Sequence, residues 1–278
     1  MNFSSSFFRY KPVLVFTFCL LSVTFFSCST RVKIDNDLKK YFDEYKVDGS
    51  FEFLNNKTGQ ITAYNLSLDA QRTLPASTFK IVNSLIGIET GKITDGNMVI
   101  KWDGIKRSNE AWNKDMGMKE AFKVSCVPYY QEVARRIGRD TMQYWLDSLH
   151  YGNMKIGDRI DSFWLDNSLK ISPDEQLGLV KKLYFDQLPF QKRTQKIVRE
   201  VMTQEDNTLY KLCYKTGLGY DEQHNSIGWI VGWVEENQHP YFFVTLIKTP
   251  DKNIDIQKAR LSITTAILKQ MGFFEGKM

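Results

Sequence analysis

Pro75-Ala76-Ser77-Thr78-Phe79-Lys80-Ile81-Val82-Asn83-Ser84-Leu85-Ile86-Gly87-Ile88-Glu89-Thr90-Gly91 opens on a proline and closes on a glycine. Between them Phe79, Ile81, Val82, Leu85, Ile86 and Ile88 make the segment apolar on most sides, and Gly91 supplies a C-terminal stop. Ser77–Thr90 is therefore expected to be a helix in the interior. From Ser77 to about Arg199 the chain goes on as helical segments separated by Gly, Pro and Asp/Asn punctuation.

On either side of that block the pattern is that of strands. Ser50-Phe51-Glu52-Phe53-Leu54 and Gln60-Ile61-Thr62-Ala63-Tyr64 flank the polar turn Asn55-Asn56-Lys57-Thr58-Gly59 and predict a hairpin. Leu209–Thr216, Ile227–Val234 and Tyr241–Lys248 predict an antiparallel meander, with Glu235-Glu236-Asn237-Gln238 as one turn. Ile254–Met271 carries Ile256, Ala259, Ile263 and Ile267 at steps of three and four ahead of Gly272, which predicts a helix packed on the sheet, with Leu261 and Leu268 off its main stripe. Strands at both ends of a helical middle make the expected class α/β (α+β), an antiparallel sheet flanked by helices plus an inserted helical lobe. The sheet lobe comes from about residues 29–75 and 200–278, and the helical lobe from about 76–199. No repeat, low-complexity stretch or linker divides residues 29–278, so they form one domain, with a cleft between lobes as the natural site.

The first residues are set apart from that domain. Arg9 and Lys11 precede the apolar run Val13–Phe26, which is shorter than the roughly 20 residues of a membrane span and is placed like the core of a signal peptide, 1–28. In Phe25-Phe26-Ser27-Cys28 a bulky Phe25 stands where ordinary cleavage wants a small residue, while Cys28 resembles a lipoprotein acceptor. An exported, periplasmic lipoprotein is expected, touching a membrane only through a lipid on Cys28.

The formal net charge is +5, and Arg9 and Lys11 of the leader are part of it, which is too weak a balance to imply nucleic acid. Arg135-Arg136 and Lys181-Lys182 read as solvated helix faces. Cys19 lies in the leader; Cys126 and Cys213 form no C-x-x-C pair and read as core residues, a disulfide between them being the alternative. His150, His224 and His239 lack metal-ligand spacing, so no metal and no zinc hydrolase are expected.

Two short motifs carry chemistry. Ser77-Thr78-Phe79-Lys80 puts a hydroxyl and an amine one helical turn apart on one face, at a helix N-terminus whose N–H groups favour a developing oxyanion. Alone, it also fits a serine cap beside a solvent-reaching lysine, although an unpaired ammonium among Phe79, Ile81 and Val82 is costly. Lys215-Thr216-Gly217 is expected at the end of a strand, where Gly admits a ligand backbone and Lys and Thr can bind a carboxylate. In this order the pair matches the penicillin-recognising serine enzymes.

Between those motifs lie Ser125-Cys126-Val127, Tyr151-Gly152-Asn153 and Phe163-Trp164-Leu165, and with Trp102-Asp103-Gly104 the series resembles the class D (oxacillinase-type) serine β-lactamases over nearly all of residues 29–278. The resemblance implies Ser77 as the nucleophile on a β-lactam carbonyl, the N–H groups of Ser77 and Leu218 as the oxyanion hole, and Ser125 as proton relay to the leaving nitrogen. Lys215, Thr216, Gly217 and Arg260 would hold the substrate carboxylate. It further implies that Val127, Leu165 and Trp164 surround Lys80, whose depressed pKa lets it take up CO2 as N6-carboxylysine, the base of both half-reactions, with the Trp164 indole donating to it. CO2 or bicarbonate is the source of that group, and no other cofactor is implied. The partner is a small β-lactam substrate, and monomer and homodimer stay equally open. Val127 in place of an amide argues against a D,D-peptidase; a penicillin-sensing domain that stays acylated, or a non-catalytic lipoprotein, remains the rival reading.

Overall fold

The computed structural model describes Met1 and residues 32–276; beyond Met1 the signal peptide expected over 1–28, including Cys19 and Cys28, lies outside the described residues. The chain begins with β1 (Val32–Ile34), α1 (Lys39–Glu44), β2 (Asp48–Asn55), β3 (Gln60–Tyr64) and the one-turn α2 (Leu66–Asp69). A middle stretch follows with α3 (Lys80–Glu89), the small ribbon β4 (Val99–Ile100) and β5 (Met116–Gly117), then α4 (Met118–Lys123), α5 (Val127–Ile137), α6 (Arg139–Leu149), α7 (Pro173–Tyr184) and α8 (Lys192–Met202). Strands β6 (Thr203–Asp206), β7 (Lys211–Tyr220), β8 (Ser226–Glu236) and β9 (His239–Thr249) lead into α9 (Ile256–Gln270).

Seven strands make one sheet in the order β1-β3-β2-β9-β8-β7-β6, antiparallel except for the β1–β3 pair. The hairpin expected at residues 50–64 forms, and it joins the C-terminal meander through β2 and β9. β8 and β9 meet at Glu236 and His239, so the turn is the two residues Asn237 and Gln238, both at positive φ, as a tight hairpin with right-handed strand twist requires. Alternation along β9 divides the core: Tyr241, Phe243 and Ile247 join the cluster under α9, while Phe242, Val244 and Leu246 join the cluster that contains α3 and α7.

Two expectations are corrected here, and the reading of the two cysteines as core residues holds. The helix at Ser77 opens as a 3-10 turn over Ala76–Phe79 and becomes α-helical only at Lys80, because the preceding Ala76 sits at φ 48 and the chain must swing into the axis. Lys215-Thr216-Gly217 is not at a strand end: β7 runs on to Tyr220, its glycines being needed where the Pro75 carbonyl and the Leu74 side chain press against Gly217 and Gly219. Cys126 and Cys213 are both buried and free, so the alternative disulfide does not form; Cys213 Sγ lies 3.5 Å from Thr203 Oγ1. In addition α7, within the helical middle, packs directly on β9, β8 and β2.

One buried polar contact lies outside any catalytic motif. Glu52 of β2 and Asp69 of α2 form a buried carboxyl–carboxyl pair in the interior, with Ser50 against Asp69. Burial raises both carboxyls well above the ordinary carboxylate range, and the negative charge of Asp174 adds to it. A folded-state pKa above the unfolded value means the native chain binds the extra proton, so this contribution to stability is full at acid pH and is lost as pH rises through neutrality. Glu52→Gln keeps a donor to Asp69 and removes one of the two titrating carboxyls. Its melting temperature should exceed that of the parent by about 2–4 °C at pH 8, and the gain should shrink by pH 5, as thermal unfolding at the two pH values will show.

Candidate active site

Ser77 stands in the 3-10 turn, nearly closed off at 8% exposure. The turn is braced by the Thr78 hydroxyl, which donates to the Pro75 carbonyl at 2.7 Å and accepts from the Gln176 amide of α7 at 2.7 Å. Lys80 follows one turn later, wholly buried, and its Nζ donates to Ser77 Oγ at 2.7 Å. The ring of Tyr130 lies 5.5 Å from the ammonium, and no carboxylate accompanies it. Burial in this apolar setting pulls the Lys80 pKa down to about 7, so near neutrality much of the amine is uncharged and able to accept a proton. The spacing that suggested the pair at the level of sequence thus does bring them into contact.

Ser125 arrives by a different device. α4 ends in a Schellman arrangement, Ser125 N to Phe122 O and Cys126 N to Ala121 O, that demands a left-handed residue, and Ser125 fills it at φ 54 where glycine is usual. The cost of a non-glycine residue there, on the order of 1 kcal/mol, is accepted at a position whose hydroxyl meets Lys215 Nζ at 3.0 Å. Lys215 is buried at 3% exposure, also donates to the Thr216 carbonyl at 3.0 Å, and lies 5.4 Å from the Phe122 ring. Burial, then the charges of Lys80 and Arg260, push its pKa well below the lysine range. Three basic side chains, Lys80, Lys215 and Arg260, therefore converge on one region with no carboxylate among the groups that shift the two lysines, a place suited to an anionic ligand.

β7 brings the other wall. A Cβ on Gly217 would come within 3.0 Å of the Pro75 carbonyl and 3.1 Å of Trp229, so only glycine lets this strand run so close to the Ser77 turn. Leu218 follows, half-buried, and Thr216 is likewise half-buried. Arg260 of α9 is not the surface residue that a lone arginine beside a helix stripe suggests: it is 6% exposed, donates through Nη1 to the Gly217 carbonyl, leaves Nε unpartnered, and has its pKa lowered to about 10 by burial.

Val127 opens α5 and is half-buried, as is Leu165. Trp164 is fully buried and stacked on Phe79 at 5.5 Å, with Phe163 edge-on at 5.1 Å. Its indole Nε1 has no hydrogen-bond partner. A buried indole N–H is normally satisfied. The irregular segment that carries Trp164 is closed at its neck by Asn153, whose amide donates to the Ser168 carbonyl at 2.8 Å and accepts from Lys170 N at 2.9 Å, while Gly152 leaves room for the Lys170 carbonyl.

Reading the sequence missed Tyr130, Phe122 and Gln176. Tyr130 had a usable signal, since it lies three residues after Val127 on the same helix face; Phe122 and Gln176 enter from α4 and α7 and had none. Among the described residues no group of three or more His, Cys, Asp or Glu side chains gathers as metal ligands.

Residues 49–271 match the family described as penicillin binding protein transpeptidase domain. The chain is 40% identical over 232 residues to a probable β-lactamase, YbxI, of Bacillus subtilis (strain 168), covering 83% of this chain and 84% of that one. A class D β-lactamase structure from Sebaldella termitidis superposes with a TM-score of 0.84 at 35% identity, covering 88% of this chain and all of the other. The chain belongs to the class D β-lactamases. Membership in this class accounts for an antiparallel sheet built from both ends of the chain around helices, and for the motif series in its order. A third neighbour, the C-terminal domain of the Bacillus licheniformis BlaR penicillin receptor, has a TM-score of 0.83 at 30% identity and covers 88% of this chain and 98% of that one, so the class D fold extends to a receptor.

Proposed function

We propose that this chain hydrolyses the β-lactam ring of penicillin-type antibiotics through an acyl-enzyme on Ser77. The observation that carries the reading is the buried, carboxylate-free amine of Lys80 held 2.7 Å from the Ser77 hydroxyl. Ser77 Oγ attacks the lactam carbonyl as its proton passes to the Lys80 side of the site, and the N–H groups of Ser77 and Leu218 take the oxyanion. Ser125 passes a proton to the departing ring nitrogen, and Lys215, hydrogen-bonded to it, keeps that hydroxyl oriented. Thr216 and Lys215, with the spare donors of Arg260 behind Gly217, hold the substrate carboxylate. Val127 and Leu165 keep the base dry.

The buried Trp164 Nε1 lacks an acceptor, as a donor to a group carried on Lys80 would before that group is added. A carbamate formed there from CO2 would supply a carboxylate base for acylation and deacylation. Trp164→Phe keeps the packing against Phe79 and removes the donor. It should leave acylation measurable, slow deacylation by about 10²-fold, and respond partly to added bicarbonate in stopped-flow assays.

Resistance of the host to penicillins follows from this activity if the protein is exported, as the leader and Cys28 suggest, to a periplasmic membrane face. The test is steady-state turnover of a penicillin and a chromogenic cephalosporin, with and without bicarbonate. Sustained turnover that rises with bicarbonate supports the reading; one stoichiometric burst leaving a stable acyl-protein would identify a sensor akin to the receptor domain and remove it.

A further inference from the structure

Residues 153–170 carry Trp164 and Leu165, which the proposed function sets beside Lys80, without a helix or strand of their own, and a long irregular loop holds its place only where it is tied. The Asn153 neck ties its two ends to each other. Gln131 and Arg135 of α5 and Arg139 and Gln143 of α6 also hold it, and two further contacts cross to the end of β7 and the turn after it. Asn167 Nδ2 donates to the Tyr220 carbonyl at 3.0 Å, and Lys170 Nζ meets Glu222 Oε1 at 2.7 Å. Tyr220 is the last residue of β7, the strand that bears Lys215, Thr216, Gly217 and Leu218.

We propose that Asn167 and the Lys170–Glu222 pair are positioning residues that lock the Trp164–Leu165 loop to β7, so that the wall around the base and the wall that receives substrate are held at one separation. The inference rests on the Ser77 hydrolase reading above. Asn167 sits at φ 68, a left-handed conformation that asparagine tolerates, and its amide spans to a chain segment 53 residues away. The ion pair is partly exposed, 28% and 58% for its two side chains, so in water it adds little to stability. What it supplies is placement.

The two half-reactions depend on that placement unequally. The contact between Ser77 and Lys80 lies within a single turn of chain and keeps its geometry wherever the loop sits, so acylation depends on the loop less than deacylation does. Deacylation needs a water set against the acyl carbonyl under the roof of Leu165 and Trp164, and a shift of about 1 Å in such groups can cost 10²-fold.

The experiment uses the full chain with Asn167→Gly, which keeps a residue suited to positive φ and removes the amide, with Lys170→Glu and Glu222→Lys singly, and with the last two combined. Acyl-protein formation with a penicillin is followed by rapid-quench intact mass, and deacylation by decay of that adduct. Expected are acylation within about twofold of the parent, deacylation slowed about tenfold in the single variants, and recovery of deacylation in the charge-swapped pair. Unchanged deacylation overturns the proposal, and so does an equal fall in both steps, which marks a loop that merely supports the fold. A parent chain that forms no acyl-protein at all overturns the hydrolase reading and this inference with it.

Discussion

Ser77→Ala should abolish acyl-protein formation and reduce penicillin turnover by about six orders of magnitude, the scale on which serine enzymes lose rate when their nucleophile is removed. No neighbouring hydroxyl is placed to substitute. Thr78 is committed to the Pro75 carbonyl and the Gln176 amide, and Ser125 is held by Lys215 on the far side of the site. The variant loses one oxygen from the braced turn and should unfold as cooperatively as the parent. Intact mass after incubation with a penicillin decides the matter: an adduct at parental rate would place the nucleophile elsewhere.

Lys80→Met should cost about 10⁴-fold in turnover, the upper range for loss of a general base. Its effect on stability should have the opposite sign. Lys80 is buried with its pKa drawn down to about 7, whereas in the unfolded chain it is an ordinary lysine, so below pH 7 the fold confines a charge that has no acid partner. That penalty is fully present below pH 7 and is relieved as pH rises toward the unfolded value. Methionine fills a similar volume without charge. The variant should therefore melt above the parent at pH 6, by a margin that narrows at pH 9, while the parent itself loses rate as pH falls through about 7 and the amine takes up its proton. Equal melting temperatures at pH 6 would mean that Lys80 is not the buried base described here.

Some of this architecture could be read directly from local pattern. Short strand-forming runs bounded by turn residues located β2, β3, β8 and β9, and steps of three and four located α9, because both signals belong to neighbouring residues along the chain. The contact of Ser77 with Lys80 belongs to the same class, being set by the pitch of a single turn. Boundaries were harder. Lys215-Thr216-Gly217 looked like the end of β7, yet the strand continues, because Gly217 and Gly219 answer to the Pro75 carbonyl and Leu74, a pressure that is nowhere in the local sequence.

By itself, then, the sequence determined the element types, the order of the motifs and the identity of the serine–lysine pair. Tertiary structure decided the electrostatics. That Lys80 is a weak base and not a surface cation depends on its burial beside Tyr130 and Cys126; that Arg260 backs Gly217 depends on how α9 packs on the sheet; that Trp164 has an unsatisfied N–H depends on every group that fails to reach it. Periodicity reports which face of an element is apolar, but a pKa or an orphaned donor is set by all the atoms around it, and those come from segments far apart in the chain.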